Sequence, residues 1–221
     1  MSKPQLGYWK IRGLASNLRY QLAYQGVDYE MVEYEQGDDH NVECWTSVKY
    51  TLGMEFPNLP YLIDGDFKMS ETIPIHKYIA DKWNPELCGK DAQTKAHANM
   101  LGNVLNEIKN AVTWPCYGSG DIEAIKKEIA EGAKLQKVVE FLGGKKFLTG
   151  DDVTWVDFYF VEMIELMSKQ HEGLFEKYPT LKTYKDSVFA LPKLAEYLAS
   201  DSCKEKTYPF NNKSAKLNFS S

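Results

Sequence analysis

The feature that most constrains this chain is a change of character at Asn84-Pro85. Before it, strand and turn signals alternate with short helical patterns. After it, the pattern is helical almost throughout. Residues 5–9 read as a strand, and Gly13 breaks the chain. A helix with Leu14, Leu18 and Leu22 on one face follows, closed by Gly26. Residues 29–34 form a β-rich run, and residues 37–52 read as irregular and polar. Residues 61–63 make a third strand, Asp64-Gly65 a type I′ hairpin turn, and 67–69 the return strand. A helix is predicted over 72–82, with Pro74 in its first turn, where no intrahelical donor is lost. The order βαβ, loop, ββα describes a small α/β sandwich.

The second half reads as a helix bundle. Leu101, Val104, Leu105, Ile108, Ala111 and Val112 keep helical spacing up to a stop or kink near Pro115. Residues 122–142 read as one helix ended by Gly143-Gly144. Thr154 with Asp157 makes a capping box, and Val156, Tyr159, Phe160, Met163, Ile164 and Met167 continue that helix. Pro179 and Pro192 open two shorter helices. The expected fold class is α+β. A thioredoxin-like domain spans 1–83, a linker 84–91, and an all-α domain 92–221.

Composition excludes several function classes. The net charge is −5 with no basic block, which argues against nucleic acid and anionic membrane surfaces as partners. The most apolar stretch, 153–167, is broken by Asp157, Glu162 and Glu165 and is too short to span a membrane. The start lacks the apolar core of a secretion signal. Cys44, Cys88, Cys116 and Cys203 are far apart, with no Cys-x-x-Cys and no His at ligand spacing. Reduced thiols in a cytoplasmic protein without a metal are therefore expected.

In redox proteins of the thioredoxin type, a Cys-x-x-Cys sits where the first strand meets the first helix. Here that junction is Tyr8-Trp9-Lys10-Ile11-Arg12-Gly13, without sulfur. Thiol–disulfide exchange is disfavoured, and the phenol of Tyr8 is left at the strand end where α/β folds place ligands. A phenol is a poor base at neutral pH and a good hydrogen-bond donor. From position alone, a core tyrosine is the commoner reading. Phe56-Pro57-Asn58-Leu59-Pro60 precedes the hairpin. It is either a strand-opening proline or, with a cis bond, a backbone edge for a peptide-like ligand. Glu71-Thr72 opens a helix, and is either a plain cap or an anion site. Trp45 and Lys49 lie in the loop, where such residues usually only pack or face solvent.

Three phrases recur in the order of a known family: Leu6-Gly7-Tyr8-Trp9 with Ile11-Arg12-Gly13-Leu14-Ala15, then Gly53 with Phe56-Pro57-Asn58-Leu59-Pro60-Tyr61-Leu62-Ile63-Asp64-Gly65, then Gly150-Asp151 with Thr154 and Val156-Asp157-Phe158. With them the chain resembles the cytosolic glutathione transferases, and within them the mu class, over about residues 4–200. The resemblance implies conjugation of glutathione, as co-substrate, to hydrophobic electrophiles in detoxification by a cytoplasmic homodimer. It implies that Tyr8 is catalytic and donates to the glutathione sulfur, with Leu14 nearby. Trp9, Trp45 and Lys49 would hold the glycyl end, Leu59 and Asn58 the cysteinyl peptide, and Glu71 and Thr72 the γ-glutamyl group. Glu107 would reach the γ-glutamyl amine across the dimer, Tyr117 would line the electrophile site, and Phe56 would be the dimer key. Glu71-Thr72 replaces the usual Gln-Ser, and Glu107 the usual Asp. Two other readings share the scaffold: a non-catalytic ligand-binding or structural protein, and a glutathione-dependent isomerase.

Overall fold

The computed structural model describes residues 3–211 and 213–219. Strands β1 (Gln5–Trp9), β2 (Glu30–Tyr34), β3 (Tyr61–Asp64) and β4 (Phe67–Ser70) form one sheet in the order β2-β1-β3-β4. β1 and β2 are parallel, and β3 runs antiparallel to both β1 and β4. Gly7 sits opposite Tyr61, whose ring comes so close that a Cβ on Gly7 would lie 2.0 Å from it. A side chain at position 7 would displace the tyrosine that supports the site-bearing loop.

The parallel pair is connected through helix α1 (Ser16–Gln25), preceded by a 3₁₀ turn at Gly13–Ala15. Leu14 therefore belongs to the turn and not to the helix. Helix α1 is buried on nearly all sides, from Ser16 to Leu22. It packs on α3 (Thr72–Trp83), α7 (Trp155–Gln170) and α10 (Pro192–Ala199), which explains the polar residues forced inside.

The helices after residue 84 are α4 (Ala92–Tyr117), α5 (Ile122–Glu131), α6 (Ala133–Leu142), α7, α8 (Leu174–Lys177), α9 (Pro179–Phe189), α10 and α11 (Asp201–Lys204). Their apolar stripes meet in one cluster, which also takes in Tyr20 and Ala80. Leu6, Leu18, Leu62, Ile75 and Ile79 centre a second cluster between the sheet and its helices.

Four expectations need correction. Residues 43–49 are not irregular: Glu43–Lys49 is a helix, α2. Seven residues cannot nucleate a helix alone. This one is held from outside by Trp45, which stacks on Tyr61 and meets Tyr34 edge-on. The stretch 122–142 is two helices, because Gly132 takes an extended ψ of 117°. Ala111 is exposed, while Leu101, Leu105, Ile108 and Val112 are buried. The hairpin loop is Gly65-Asp66, with positive φ at Gly65 only. That is the II′ pattern, since I′ needs positive φ at both positions.

The capping box forms. Asp157 does more than cap: its carboxylate accepts from Thr154 N–H (2.7 Å), Leu148 N–H (2.8 Å) and the Tyr184 hydroxyl (2.7 Å). Burial raises its pKa against the pull of these donors. His76 is fully buried between α1 and α3, and desolvation pushes its pKa down to about 3. A neutral imidazole donates from one nitrogen and accepts at the other. Gln21 donates its amide to the His76 carbonyl and turns its oxygen to Nδ1, which donates to it, and Asn17 Oδ1 lies 3.1 Å from Nε2.

Two expectations for stability follow. Asp157→Ala strands three buried donors and lowers unfolding free energy by roughly 3 kcal/mol, at about 1 kcal/mol each. Urea unfolding checks this, and a loss below about 1 kcal/mol would contradict the assignment. For His76 the unfolded chain binds a proton from about pH 6.5 downward and the folded chain only near pH 3, so stability falls as pH falls through that window. The slope from this group is at most about 1.4 kcal/mol per pH unit. His76→Asn should flatten the acid limb of unfolding midpoint against pH by that amount.

Candidate active site

Tyr8 ends the buried part of β1, and the chain must turn sharply after it to enter α1. Gly13 makes that turn at φ 41°, and a Cβ there would sit 2.6 Å from the Tyr8 hydroxyl oxygen. The next residue brings its backbone onto the phenol: Leu14 N–H donates to Tyr8 Oη at 3.0 Å. Burial raises the pKa of Tyr8 above the ordinary phenol value, and the Leu14 bond opposes this without reversing it. Tyr8 therefore keeps its proton at neutral pH. With one lone pair taken by Leu14, the O–H remains available as a donor to something else.

Beside the hydroxyl is a cavity of about 190 Å³. Its first wall is Tyr8, Gly13, Leu14 and Asn17. Its second is a face of α4 made by Lys109, Asn110, Thr113, Trp114 and Tyr117, and its third is Tyr159, Glu162, Met163 and Leu166 of α7. Pro209 and Phe210 from the C-terminal segment close it. That segment is tied down at several points. Arg12 N–H donates to the Tyr208 carbonyl (2.8 Å), Gly13 N–H to that of Pro209 (3.2 Å), and Asn211 N–H to the Tyr117 hydroxyl (3.1 Å). Phe210 meets the Tyr117 ring edge-on at 5.4 Å.

Glu162 is not a free carboxylate. Arg12 grips it with two N–H groups at 3.1 and 2.7 Å, and the Tyr20 hydroxyl donates to it at 2.7 Å. Burial works against the charge on Arg12, but Glu162 outweighs it and moves the guanidinium pKa up. This bidentate pair joins the turn after β1 to α7, so the loop carrying Leu14 N–H is anchored from the helical half.

Among the sequence-predicted residues, Tyr8, Leu14 and Tyr117 line this cavity. The others lie outside its lining. Trp9 and Trp45 both meet Tyr34 edge-on, at 6.4 and 5.2 Å. Lys49 ends α2, with its Nζ 5.4 Å from the Tyr50 ring centre. Leu59 is buried, and the Leu59–Pro60 bond is cis. Asn58 donates its side-chain amide to the Glu71 carboxylate at 2.9 Å. Glu71 itself stands at φ 77°, a conformation that costs a residue with a side chain about 1–3 kcal/mol. It precedes α3 without capping it by its side chain, and Thr72 is the buried first helical residue. Glu107 is exposed and pairs with Lys134 of its own chain. Phe56 is 80% exposed.

The sequence reading missed Asn17, Lys109, Asn110, Thr113, Trp114, Tyr159, Glu162, Met163, Leu166, Pro209 and Phe210. On α4 a signal existed: 109, 113 and 117 share a face other than the core stripe. For the C-terminal segment none did. Among the described residues, no cluster of three or more His, Cys, Asp or Glu could hold a metal, all four cysteines are free, and no helix is long and apolar enough to cross a membrane.

Residues 4–81 match the family model for the glutathione S-transferase N-terminal domain, and residues 123–201 that for the C-terminal domain. Glutathione S-transferase Mu 1 of Macaca fascicularis is 37% identical over 199 residues, covering 88% of this chain and 90% of the relative. Human glutathione S-transferase Mu 4 is 36% identical with the same coverage. The crystal structure of the glutathione S-transferase Blo t 8 superposes with a TM-score of 0.84 at 28% identity, covering 96% of this chain and 99% of that one. Rat hPGDS, solved with a quinoline, shares the fold at a TM-score of 0.75 and 22% identity. The chain belongs to the glutathione S-transferase family, and its curated relatives carry mu-class names.

Proposed function

We propose that this glutathione transferase ionises the glutathione thiol against the Tyr8 hydroxyl and conjugates the thiolate to hydrophobic electrophiles held in the cavity beside it. The observation that carries this is the protonated Tyr8 phenol, braced by Leu14 N–H at the cavity wall. A thiol of pKa about 8.5 is only a few per cent ionised at pH 7. Lowering it by two units takes about 2.7 kcal/mol of preference for the thiolate. One charge-assisted hydrogen bond in a partly dry cleft supplies about 1.5–3 kcal/mol. The thiolate then attacks an electrophilic carbon placed against it, and Tyr117 can donate to negative charge developing there.

The tripeptide lies along the sheet edge. Leu59 offers its backbone to the cysteinyl unit, beside Asn58. Thr72 and the first turn of α3 take the γ-glutamyl carboxylate, and Glu71 takes its amine. Trp9, Trp45 and Lys49 hold the glycyl end, where aromatic contacts set both indoles on Tyr34. No metal takes part. The functional unit is a cytoplasmic homodimer with a detoxifying role. Exposed Phe56 is the key inserted into the partner protomer, and Glu107 reaches the partner's γ-glutamyl amine. We place the domain boundaries at 1–83 and 92–221, with 84–91 as linker.

The decisive experiment titrates thiolate absorbance of bound glutathione against pH. In Tyr8→Phe the apparent thiol pKa should rise from about 6.5 to about 8.5, leaving about 25-fold less thiolate at pH 7. An unchanged pKa removes Tyr8 from this role. For the dimer, Phe56→Ser should yield monomers that bind glutathione roughly tenfold more weakly, and Glu107→Ala should weaken the intact dimer in the same direction. Monomers that bind undiminished would show that no partner residue reaches the tripeptide.

A further inference from the structure

The cavity walls are mostly aromatic or aliphatic, yet one cation stands in them. Lys109 is half-buried on α4, one turn before Thr113 and two before Tyr117. Among the described residues it makes no hydrogen bond or ion pair. Lys169 and Lys185 by contrast hold Glu165, Lys206 holds Glu33, and the half-buried Lys49, Lys77 and Lys145 each lie over an aromatic ring. Two carboxylates are near enough to matter. Glu162 shares the cavity but is already held by Arg12 and Tyr20. Glu71 is felt through space and is engaged by Asn58. Burial lowers the pKa of Lys109 from the ordinary lysine value, as for a cation taken from water without a counter-charge in contact.

We propose that Lys109 is a specificity-determining residue that pairs with a carboxylate on the electrophile, so that the preferred substrates are apolar electrophiles carrying an anionic group. This rests on the conjugation reading above and names its substrate class. An aromatic body would lie between Tyr117 and Tyr159, with its acid group turned to Lys109 and its reactive carbon to Tyr8. The neutralised Glu162 offers such an anion little repulsion. Glutathione's own carboxylates are the competing partners for Lys109. The residues assigned to them, Lys49 and Thr72, lie outside the cavity lining, whereas Lys109 shares it with Tyr117.

The test compares 4-(chloromethyl)benzoate with 4-(chloromethyl)benzamide, each rate divided by its uncatalysed rate with glutathione. In both, the sulfur–carbon bond forms as the carbon–chlorine bond breaks. Chloride leaves with the bonding pair, and the thiol proton passes to solvent. In the wild-type protein kcat/KM should favour the benzoate by about tenfold, the size of one charge-assisted contact. In Lys109→Met that ratio should fall to near 1, and Lys109→Arg should retain most of it. A wild-type ratio near 1 overturns the proposal without recourse to any variant. So does an equal loss with both compounds in Lys109→Met, which would place the lysine on glutathione. Failure of the wild-type protein to conjugate even chlorodinitrobenzene overturns the conjugation reading itself and is thereby distinguished from failure of the lysine assignment.

Discussion

One hydrogen bond organises this site: the Leu14 N–H on the Tyr8 oxygen. A buried phenol with no partner would turn toward whatever acceptor the interior offers. By occupying a lone pair, Leu14 leaves the proton for the cavity and keeps the ring in place. Much of the surrounding architecture serves that bond. Gly13 permits the turn that brings position 14 back over the ring, because any side chain there would strike the phenol. Gly7 lets Tyr61 pack flat against β1. Arg12, clamped to Glu162 on α7, holds the turn from the helical half.

The same clamp accounts for an arrangement that looks costly. A buried ion pair stabilises little against well-packed apolar residues, since both charges lose water. Here it does what packing cannot: it fixes the register between a loop and a helix distant in the chain, and it removes a free carboxylate from the cavity beside the Tyr8 hydroxyl. The C-terminal segment adds Pro209 and Phe210 to the cavity lining and is hydrogen-bonded to Arg12, Gly13 and Tyr117. A drier cleft strengthens every electrostatic contact inside it.

Much of the fold was legible because its signals are local. Strand runs, the capping box at Thr154 and Asp157, and the prolines opening α9 and α10 depend on nearest neighbours along the chain. The failures have a common cause. Helix α2 exists because Trp45 finds Tyr34 and Tyr61 from elsewhere in the sequence, and no periodicity in residues 37–52 announces that. The break at Gly132 was hidden because the apolar spacing continues through it. Tyr8 was marked by its place at a strand end, Leu14 by a family phrase, and Tyr117 only through the resemblance those phrases carry. Lys109 was marked only by the helical face it shares with Thr113 and Tyr117, and Glu162 and Phe210 carried no mark of a site, since a lone glutamate or phenylalanine has many ordinary uses.

By itself the sequence determined the chain's elements, the sulfur-free junction after β1, and through its ordered phrases the family to which it belongs. Those depend on backbone preference and short-range spacing, which are written residue by residue. Only the tertiary structure decided which faces of α4 and α7 line the cavity at the Tyr8 hydroxyl, which carboxylate is paired and which lysine stands in its wall. Those are matters of distance between segments as much as 150 residues apart, as Arg12 and Glu162 are, and a linear pattern carries no record of them.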